Sequence, residues 1–466
     1  MEYKSTLEYV DKYFDSQIIP TLMEYIKIDN LSPNFDPEWA TNGKSEKAAA
    51  LLLNWALNLG VKGLKGEVKK LEGLSPIIFL EIDSNGGNGN IFMYGHFDKQ
   101  PHFSGWIEGT GPTSPVIIGD LLYGRGGADD GYAIFSSLLS IKAMQDFGHK
   151  HGHITILIEG SEESGSIHLM QYIANLEKEI GTPDLLVCLD SGCKDYERLW
   201  ITTSLRGVVM KDIEIACLKE SVHSGVGTGH SPDSFTVGRV LLDRIEDSKT
   251  GKVIDEFQVN IPESKYEEAK QVSKTLGDGF VMVKNLDGVK HLSDDLTELY
   301  LNGTWRSTLC VVGATGIPAH QTAGNVLRDK TEFRLSMRIP PTKIPQEASD
   351  ILDKVLLENP PFNSKITIQK TIMGSGWAAE KFSDKLEKSL STSSKALWGK
   401  ESQTVGEGGS IPFINSLAQK FPKGDFLVLG VLGPNSNAHA ANECLHIPYC
   451  KKVTTTLIHA VYDIFN

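Results

Sequence analysis

Four short, continuously apolar segments constrain the fold of this chain more than any other feature. They are residues 90–94, 154–158, 185–189 and 426–432. Runs of this length predict strands that are buried on both faces, and helical stretches such as 133–144 separate them along the chain. This alternation favours a mostly parallel sheet covered by helices. The sequence therefore predicts an α/β domain built on such a sheet.

Residues that bind metals or transfer protons follow each of these apolar runs. In chain order they are His96 and Asp98, then Glu162 and Glu163, then Asp190, and finally His439. Because ligands bind at the carboxyl ends of parallel strands, we expect these side chains to meet at one edge of the sheet. Asp129 comes just before the helical stretch 133–144 and is expected to point inward from the helix start.

Each of these residues also has a purely structural interpretation. Asp190 alone is typical of a helix cap or a turn, and the pair Glu162-Glu163 is typical of a solvated helix start. Their coincidence in one chain favours a shared site instead. Two histidines, one bridging carboxylate and two further carboxylates suit a pair of divalent metals such as Zn²⁺, with a coordination position left for water.

Several further motifs complete a recognisable set. They are Gly124–Asp130, Glu159–Gly165, Ser221–Gly225, Ala323–Val326, Arg338–Pro340, Glu407–Pro412 and Ala438–Glu443. With these motifs the chain resembles the M20 family of metallopeptidases over nearly its whole length. It is most similar to the longer dipeptidase branch, which includes the cytosolic nonspecific dipeptidase and carnosinase. The resemblance implies a mostly parallel-sheet catalytic domain with a smaller inserted α+β lid domain that carries dimer contacts.

The length and the pattern of the chain agree with an inserted domain. At 466 residues the chain exceeds the size at which single cores stop growing. Strand-like runs at 208–216 and 331–338 alternate with helical runs at 233–245 and 346–357, which indicates an α+β unit. We expect a first catalytic part at 1–203, the lid domain at 204–375 and a second catalytic part at 376–466.

The resemblance implies a role for each residue of the predicted site. The ligands divide into two sets that share a bridging residue: His96 and Asp190 for one metal, Glu163 and His439 for the other, and Asp129 between them. Glu162 is then the general base that activates a metal-bridged water, and Asp98 orients the imidazole of His96. Two divalent ions are implied, Zn²⁺ first, with Mn²⁺ or Co²⁺ also tolerated by such ligands. The Asp129–Asp130 peptide bond is often cis in this family.

The resemblance also implies residues that bind the substrate. His223 matches a histidine that reaches into the neighbouring subunit of a homodimer and stabilises the oxyanion; alternatively it is a loop histidine beside the glycine-rich stretch 225–229. Asn325 and Arg338 match residues that hold the substrate's carbonyl and carboxylate, although Arg338 alone could equally be a surface charge. Gly409 and Ser410 are further candidates.

Three positions depart from the pattern of the family. Relatives often carry a lysine after the two aspartates, whereas this chain has Gly131 and Tyr132 there. Many relatives have arginine where this chain has Gly406. Lys99, directly after Asp98, is expected to add a charge near the mouth of the site. Since no ligand and no base is lost, we expect activity, with the specificity left open.

Composition excludes several other classes of protein. The net charge of −13 and the pI near 5.5 argue against nucleic-acid and anionic-membrane partners. The sequence lacks an apolar run of about 18 residues, and its polar N-terminal segment lacks a signal core, which favours a cytoplasmic protein. The stretch 225–229 lacks the Lys-Ser/Thr ending of a phosphate loop, and a Gly-x-Ser-x-Gly elbow is absent from the sequence.

The six cysteines are scattered and contain no CxxC pair, which favours reduced thiols over a disulfide framework. Cys188 lies close to Asp190 in the sequence. A thiolate metal ligand is one interpretation of Cys188, but burial in the strand is favoured.

Three functions are open at this point. The favoured one is hydrolysis of the amide bond of dipeptides or short peptides with a free C-terminal carboxylate. The second is that of an N-acyl-amino-acid deacylase or a carboxypeptidase of the same family. The third is a noncatalytic metal-binding scaffold, which Glu162 argues against because a scaffold has no chemical need for a base beside the metals.

Overall fold

The computed structural model describes residues 1–283 and 285–466 and divides by its contacts into two compact units. The first unit comprises Met1–Thr203, Ala379–Thr404 and Ser416–Asn466, and the second comprises Ser204–Ala378 and Val405–Asn415. This division differs from the expected boundaries, because residues 376–378 and 405–415 belong to the second unit. Trp377 and Ala378 pair with Leu205 and Ser204, which explains the first difference.

The helices lie throughout both units. In chain order they are α1 (Tyr3–Tyr13), α2 (Ile19–Ile26), α3 (Lys44–Asn58), α4 (Ala133–Asp146), α5 (Leu169–Asn175), α6 (Glu177–Ile180), α7 (Ser224–Gly227), α8 (Ser234–Asp243), α9 (Glu263–Leu276), α10 (Leu296–Thr304), α11 (Pro345–Leu357), α12 (Asp384–Trp398), α13 (Pro412–Lys420) and α14 (Ile447–Phe465). Short helical turns occupy Phe14–Ile18, Pro33–Phe35, Gly127–Gly131, Glu162–Ser164, Asp255–Phe257, Gly277–Phe280, His320–Thr322 and Pro361–Asn363. Among the described residues, none of these helices combines the length and the apolar character that crossing a membrane requires.

The strands are short, as expected from the apolar runs. They are β1 (Leu64–Lys69), β2 (Ile77–Ile82), β3 (Asn90–His96), β4 (Val116–Ile118), β5 (Leu121–Tyr123), β6 (His153–Glu159), β7 (Leu185–Cys188), β8 (Trp200–Leu205), β9 (Gly207–Ala216), β10 (Val222–His223), β11 (Glu246–Asp247), β12 (Lys252–Val253), β13 (Thr308–Thr315), β14 (Val326–Leu327), β15 (Lys330–Ile339), β16 (Lys365–Gly374), β17 (Trp377–Ala378), β18 (Gln403–Glu407), β19 (Asp425–Val428) and β20 (Cys444–His446).

The four predicted strands lie side by side in the sheet of the first unit. Their order is β6-β3-β7-β19, and each neighbouring pair runs parallel. Antiparallel strands flank them, β2 beside β6 and β8 beside β19. The carboxyl ends of the four parallel strands therefore meet at one edge, as the sequence predicted. Strand β19 is shorter than its apolar run and ends at Val428.

Burial of consecutive residues explains why these runs lack alternation. Every residue of β7 is buried, including Cys188, and β3 and β6 are buried at all but their first residue. Such strands are covered on both faces, and helix α4, which is itself almost entirely buried, packs against β3 and β6. Helix α14 packs on α4 in turn. The core of the first unit is therefore the sheet itself.

The second unit is an α+β structure. Its main sheet has the order β13-β15-β9-β16 with antiparallel pairs throughout. Alternate residues of β9 and β15 are buried, and they form one apolar core with buried side chains of α8 and α11. One face of this sheet is thus covered by helices. The predicted fold class, an α/β domain with an α+β insertion, is confirmed.

Close backbone contact beside the strand ends gives a first testable prediction. A Cβ atom on Gly430 would lie 1.6 Å from the carbonyl oxygen of Ser191. We expect Gly430→Ala to lower the free energy of unfolding by about 3 kcal/mol or more, because a backbone carbonyl does not move aside as a flexible side chain does. Chemical denaturation followed by circular dichroism measures this change.

The matched control is Gly303→Ala in helix α10. A Cβ atom on Gly303 meets no heavy atom within 4 Å. This variant is expected to change stability by no more than about 1 kcal/mol. If the two variants unfolded alike, the close approach of Gly430 to Ser191 would be wrong.

Candidate metal centre

The predicted ligands all lie in the first unit, at the ends of its parallel strands or in loops beside them. His96 is the last residue of β3, Asp190 lies just beyond β7, and Glu163 belongs to the turn Glu162–Ser164 that follows β6. Asp129 lies in the turn Gly127–Gly131 before α4, and His439 lies in the loop after β19. The sheet therefore brings together segments that are far apart in the sequence.

Asp129 lies between the two histidines. Its Oδ1 atom is 3.2 Å from Nε2 of His96, and its Oδ2 atom is 3.0 Å from Nε2 of His439. Oδ2 of Asp190 lies 3.9 Å from Nε2 of His96, and Oε2 of Glu163 lies 3.2 Å from Nε2 of His439. The donor atoms therefore form two sets that share the carboxylate of Asp129.

The carboxyl groups of this cluster have shifted pKa values. Burial and the adjacent Asp129 carboxylate raise the pKa of Glu163 well above its ordinary value, and burial raises the pKa of Asp190 to about 6. Burial also raises the pKa of Asp129, but hydrogen bonds from His439 and His96 outweigh burial and leave that pKa low. Carboxylates this close repel one another unless a cation lies between them. Imidazole and carboxylate donors are suited to divalent ions such as Zn²⁺, so the residues fit a metal site.

Glu162 lies on the His96 side of the cluster. One donor atom from each of His96, Glu162 and Asp190 lies within 4.8 Å of the other two. Burial and the Asp190 carboxylate raise the pKa of Glu162 well above its ordinary value. Glu162 therefore holds a proton more tightly than an ordinary glutamate does.

Asp98 holds the turn that carries the two glutamates. The backbone N–H groups of Glu162 and Glu163 donate to its two carboxylate oxygens at 3.1 and 3.0 Å. The same carboxylate lies 3.5 Å from Nδ1 of His96, and the carbonyl oxygen of Asp98 lies 3.2 Å from that nitrogen. Asp98 is thus placed to fix a ligand segment on each side of it, and its predicted role in orienting His96 stays a prediction.

Glu159, the last residue of β6, also stabilises the turn Glu162–Ser164. Its buried carboxylate accepts hydrogen bonds from Tyr94 at 2.5 Å, from Ser161 at 3.0 Å and from Ser166 at 2.8 Å. Ser161 and Ser166 lie on either side of the turn Glu162–Ser164, so one carboxylate ties both of its ends. Glu159 belongs to the motif Glu159–Gly165 but was not predicted to have a role in the site.

Two other supporting residues carried no recognisable sequence signal. The Nε2 atom of Gln100 donates to Oε2 of Glu163 at 2.6 Å. The hydroxyl of Tyr132 donates to the carbonyl oxygen of Leu189, which directly precedes Asp190. Both contacts join residues that are distant in the chain, and only the fold reveals them.

The expectation for Lys99 was wrong. Its side chain is buried, and its ammonium group donates to the carbonyl oxygens of Tyr25 at 2.9 Å and Ile28 at 2.6 Å, around the C-terminal end of α2. Burial lowers the pKa of Lys99 to about 7. Carbonyl groups at a helix C-terminus attract a cation, so the buried ammonium group of Lys99 stabilises the end of α2 and does not add a charge at the mouth of the site.

The other departures from the family pattern have steric causes. A Cβ atom on Gly131 would lie 2.4 Å from the carbonyl oxygen of Gly126 and 2.5 Å from the ring of Tyr25. A Cβ atom on Gly406 would lie 2.7 Å from Oγ of Ser204. Gly131 does not accept a side chain as the backbone stands, whereas at Gly406 the hydroxyl of Ser204 would have to move aside. The Asp129–Asp130 peptide bond is cis, as the resemblance implied.

The remaining predicted residues lie in the second unit. His223 ends β10, which pairs with β14, and the carbonyl oxygen of Asn325 accepts a hydrogen bond from Ser224 N at 2.9 Å. Nδ1 of His223 accepts the backbone N–H of Gly225 at 3.1 Å. A neutral His223 ring therefore carries its proton on Nε2, and the residue is exposed.

Arg338 and Ser410 are joined directly. Nη1 of Arg338 donates to Oγ of Ser410 at 2.9 Å, and that hydroxyl donates to the carbonyl oxygen of Arg206 at 2.5 Å. Gly409 has open space at its Cβ position. Among the described residues, neither Arg206 nor Arg338 has a carboxylate within ion-pair distance, and burial followed by repulsion from Arg338 lowers the pKa of Arg206 to about 10. Two neighbouring guanidinium groups without an acidic partner favour an anionic ligand.

Comparison with known proteins decides the family. The model of peptidase family M20/M25/M40 matches residues 92–463, which is most of the chain. The chain belongs to this family. The prediction of a hydrolytic M20 peptidase is therefore confirmed.

Individual relatives agree with this assignment. The cysteinylglycine-S-conjugate dipeptidase of Corynebacterium striatum is 25% identical over 366 residues, covering 76% of this chain and 76% of that protein. The crystal structure of human carnosine dipeptidase 1 has a TM-score of 0.75 at 19% identity and covers 99% of this chain and 98% of that one. The M20 metallo-carboxypeptidase Sso-CP2 of Sulfolobus solfataricus has a TM-score of 0.77 at 22% identity, over 96% of this chain and 100% of that chain. The structural likenesses show the fold, and the resemblance to the dipeptidase branch is confirmed.

Glu159 gives a prediction about pH. Burial raises its pKa from an ordinary value of 4.5 to about 7, so the folded protein holds this proton more tightly than the unfolded chain does. The resulting stabilisation is fully present below pH 4.5 and is lost as the pH rises through about 7. In metal-free wild-type protein, titration of Glu159 is expected to lower the free energy of unfolding by up to roughly 3 kcal/mol between pH 4.5 and 7. Glu159→Gln should not show this decrease, because its amide does not titrate.

Urea denaturation at half-unit pH steps measures this difference. The control is Glu67→Gln, which changes an exposed carboxylate on β1. It is expected to keep the wild-type pH profile. A Glu159→Gln profile parallel to that of the wild type would show that Glu159 does not titrate in this range.

Proposed function

We propose that the protein is a dinuclear metal-dependent dipeptidase that hydrolyses the amide bond of dipeptides with a free C-terminal carboxylate. The observation that carries this proposal is Asp129, whose two oxygens face two different histidines at 3.2 and 3.0 Å. A bridging carboxylate of this kind is what a pair of ions requires. The dipeptidase names of relatives that match over most of the chain support the substrate class.

The residues that would hold the two ions are those already described. His96 and Asp190 would hold one, Glu163 and His439 the other, and Asp129 both, with Zn²⁺ the expected metal. When bound, such a pair lowers the pKa of a shared water and polarises the scissile carbonyl. Asp98 and Gln100 support Glu163 through its backbone N–H and its Oε2 atom.

Glu162 would move the proton. Its raised pKa suits a carboxylate that accepts a proton from the attacking water and returns it to the leaving amine. Asp98 fixes the backbone of Glu162 through the hydrogen bond at 3.1 Å. Ser161 and Ser166, which flank the turn Glu162–Ser164, both donate hydrogen bonds to the Glu159 carboxylate and so fix the two ends of the turn. The base is therefore held by its neighbours before substrate arrives.

The second unit would contribute the groups that recognise the peptide. His223 presents an exposed Nε2–H donor of the kind that stabilises an oxyanion, and we propose that it acts on the partner subunit of a homodimer. Arg338 would bind the C-terminal carboxylate through its planar guanidinium group. Asn325, Gly409 and Ser410 are proposed to line the same substrate site.

Changing Glu162 tests the base. We expect Glu162→Gln to lower kcat at least about 1000-fold, because the amide cannot accept a proton, while metal content stays at the wild-type level. Glu163→Gln is the matched comparison, since it alters the adjacent residue, and it is expected to lose metal as well as activity. Metal analysis by mass spectrometry and steady-state kinetics give both quantities. Metal loss in Glu162→Gln would make Glu162 a ligand instead of the base.

Changing His223 tests the oxyanion donor. Loss of one such donor typically costs about 3 kcal/mol of barrier, so His223→Ala should lower kcat by roughly 100-fold or more with metal content unchanged. His230→Ala removes another exposed histidine a few residues further along and should retain activity. Equal activities of these two variants would exclude His223 from catalysis.

Product analysis tests the proposed reaction as a whole. Metal-stripped protein, restored with Zn²⁺ or Mn²⁺, is incubated with a pool of dipeptides, longer peptides and N-acyl amino acids, and the products are identified by mass spectrometry. Metal-dependent loss of dipeptides, absent from Glu162→Gln, is the expected result. Release of C-terminal residues from longer peptides would indicate a carboxypeptidase, and loss of acyl amino acids would indicate a deacylase. No turnover with two ions bound would contradict the proposed reaction.

A further inference from the structure

Two buried charged residues beside the metal centre have no role in the proposed chemistry. Arg125 and Glu443 are 1% and 0% exposed, and Nη1 of Arg125 donates to Oε2 of Glu443 at 2.7 Å. Neither residue is a ligand or a base in the proposed site. Burying a charge is costly unless it is paired, so a buried pair with so many contacts requires an explanation.

Glu443 organises the loop that carries the bridging carboxylate. Its Oε1 atom accepts three backbone N–H groups, from Gly126 at 3.0 Å, from Ala128 at 3.2 Å and from Asp129 at 3.2 Å. The carbonyl oxygen of Glu443 also accepts a hydrogen bond from the N–H of Gly124 at 3.0 Å. The loop thus wraps around one glutamate, and the backbone of Asp129 is fixed by it.

Arg125 links this loop to two other ligand segments. Its second terminal nitrogen, Nη2, donates to the carbonyl oxygen of Ala440 at 2.6 Å and to that of Pro101 at 3.1 Å. Ala440 directly follows His439, and Pro101 lies shortly after the segment of His96. One guanidinium group therefore connects the loop of Asp129 with the residue beside His439 and with Pro101.

We infer that Arg125 and Glu443 form a positioning pair that sets the separation of the ligand segments and so controls occupancy by the two ions. This inference rests on the proposed function, because it assumes two ions. The two residues do different work within the pair. Glu443 holds the segment of Asp129, which both ions share. Nη2 of Arg125 makes its shorter contact with Ala440, directly beside His439, which serves one ion, and its longer contact with Pro101, five residues from His96.

The division of work predicts different losses for two conservative variants. Arg125→Lys keeps a positive charge for Glu443, but a lysine ammonium is a single point and does not reproduce the fork that holds Ala440. We expect it to retain one ion at wild-type affinity and to bind the second roughly 10- to 100-fold more weakly. Glu443→Gln loosens the backbone of Asp129 and should weaken both ions.

Zinc binding measures these losses without reference to activity. Metal-stripped protein is equilibrated at graded free Zn²⁺ concentrations set by a chelator, and bound zinc is counted by mass spectrometry. The control is Glu268→Gln, which removes a buried carboxylate that pairs with Lys265 and Tyr300 in the second unit. It should keep both ions at wild-type affinity, even where it lowers the melting temperature.

The outcomes distinguish a failure of this inference from a failure of the proposed function. A wild-type protein that binds only one ion would overturn the proposed function, and this inference with it. With two ions in the wild type, loss of one ion in Arg125→Lys supports the positioning pair. Unchanged binding in Arg125→Lys, or equal weakening of both ions in that variant, would overturn it. Arg125→Lys preserves the charge balance and decides the matter even where Glu443→Gln does not fold.

Discussion

The rest of the structure depends on the concentration of negative charge at the carboxyl edge of an apolar sheet. Asp129, Glu163 and Asp190 converge there with only two histidines, and burial raises the pKa of the latter two carboxyl groups. In a buried site, where charges are poorly screened, such repulsion is offset only by cations or by protons. The cluster is therefore suited to divalent cations, which offset this repulsion.

The surrounding protein holds this charge in position with further buried groups. Asp98 and Glu159 fix the turn that carries Glu162 and Glu163, while Glu443 and Arg125 fix the loop that carries Asp129. In each case a carboxylate accepts backbone N–H or hydroxyl groups from a loop. The buried carboxylates that hold these loops therefore belong to the candidate metal centre together with the candidate ligands, because ligands on loops need such support.

The sequence predicted the strands and the convergence of the candidate ligands because each depends on local signals. Apolar runs such as 185–189 specify buried strands, and His96 and Asp190 follow their apolar runs within two residues, so the parallel sheet brings them together. The supporting contacts were not predictable in this way. Arg125 and Glu443, or Tyr132 and Leu189, meet only after folding, and no spacing in the sequence connects them.

The direction of the Lys99 side chain was likewise not predictable from the sequence. Its place after Asp98 suggested a charge near the site, but the direction of a side chain depends on the neighbouring elements. The carbonyl groups around the end of α2 attract its ammonium group away from the metal ligands. Similarly, the absence of a side chain at Gly131 follows from the ring of Tyr25, which only the folded structure places there.

Anomalous X-ray diffraction from crystals grown with Zn²⁺ tests the central claim most directly. We expect two zinc peaks about 3.5 to 4 Å apart with the Asp129 carboxylate between them, one beside His96 and Asp190 and the other beside Glu163 and His439. A single peak held by His96, Asp129 and Asp190, with His439 turned away, would contradict it.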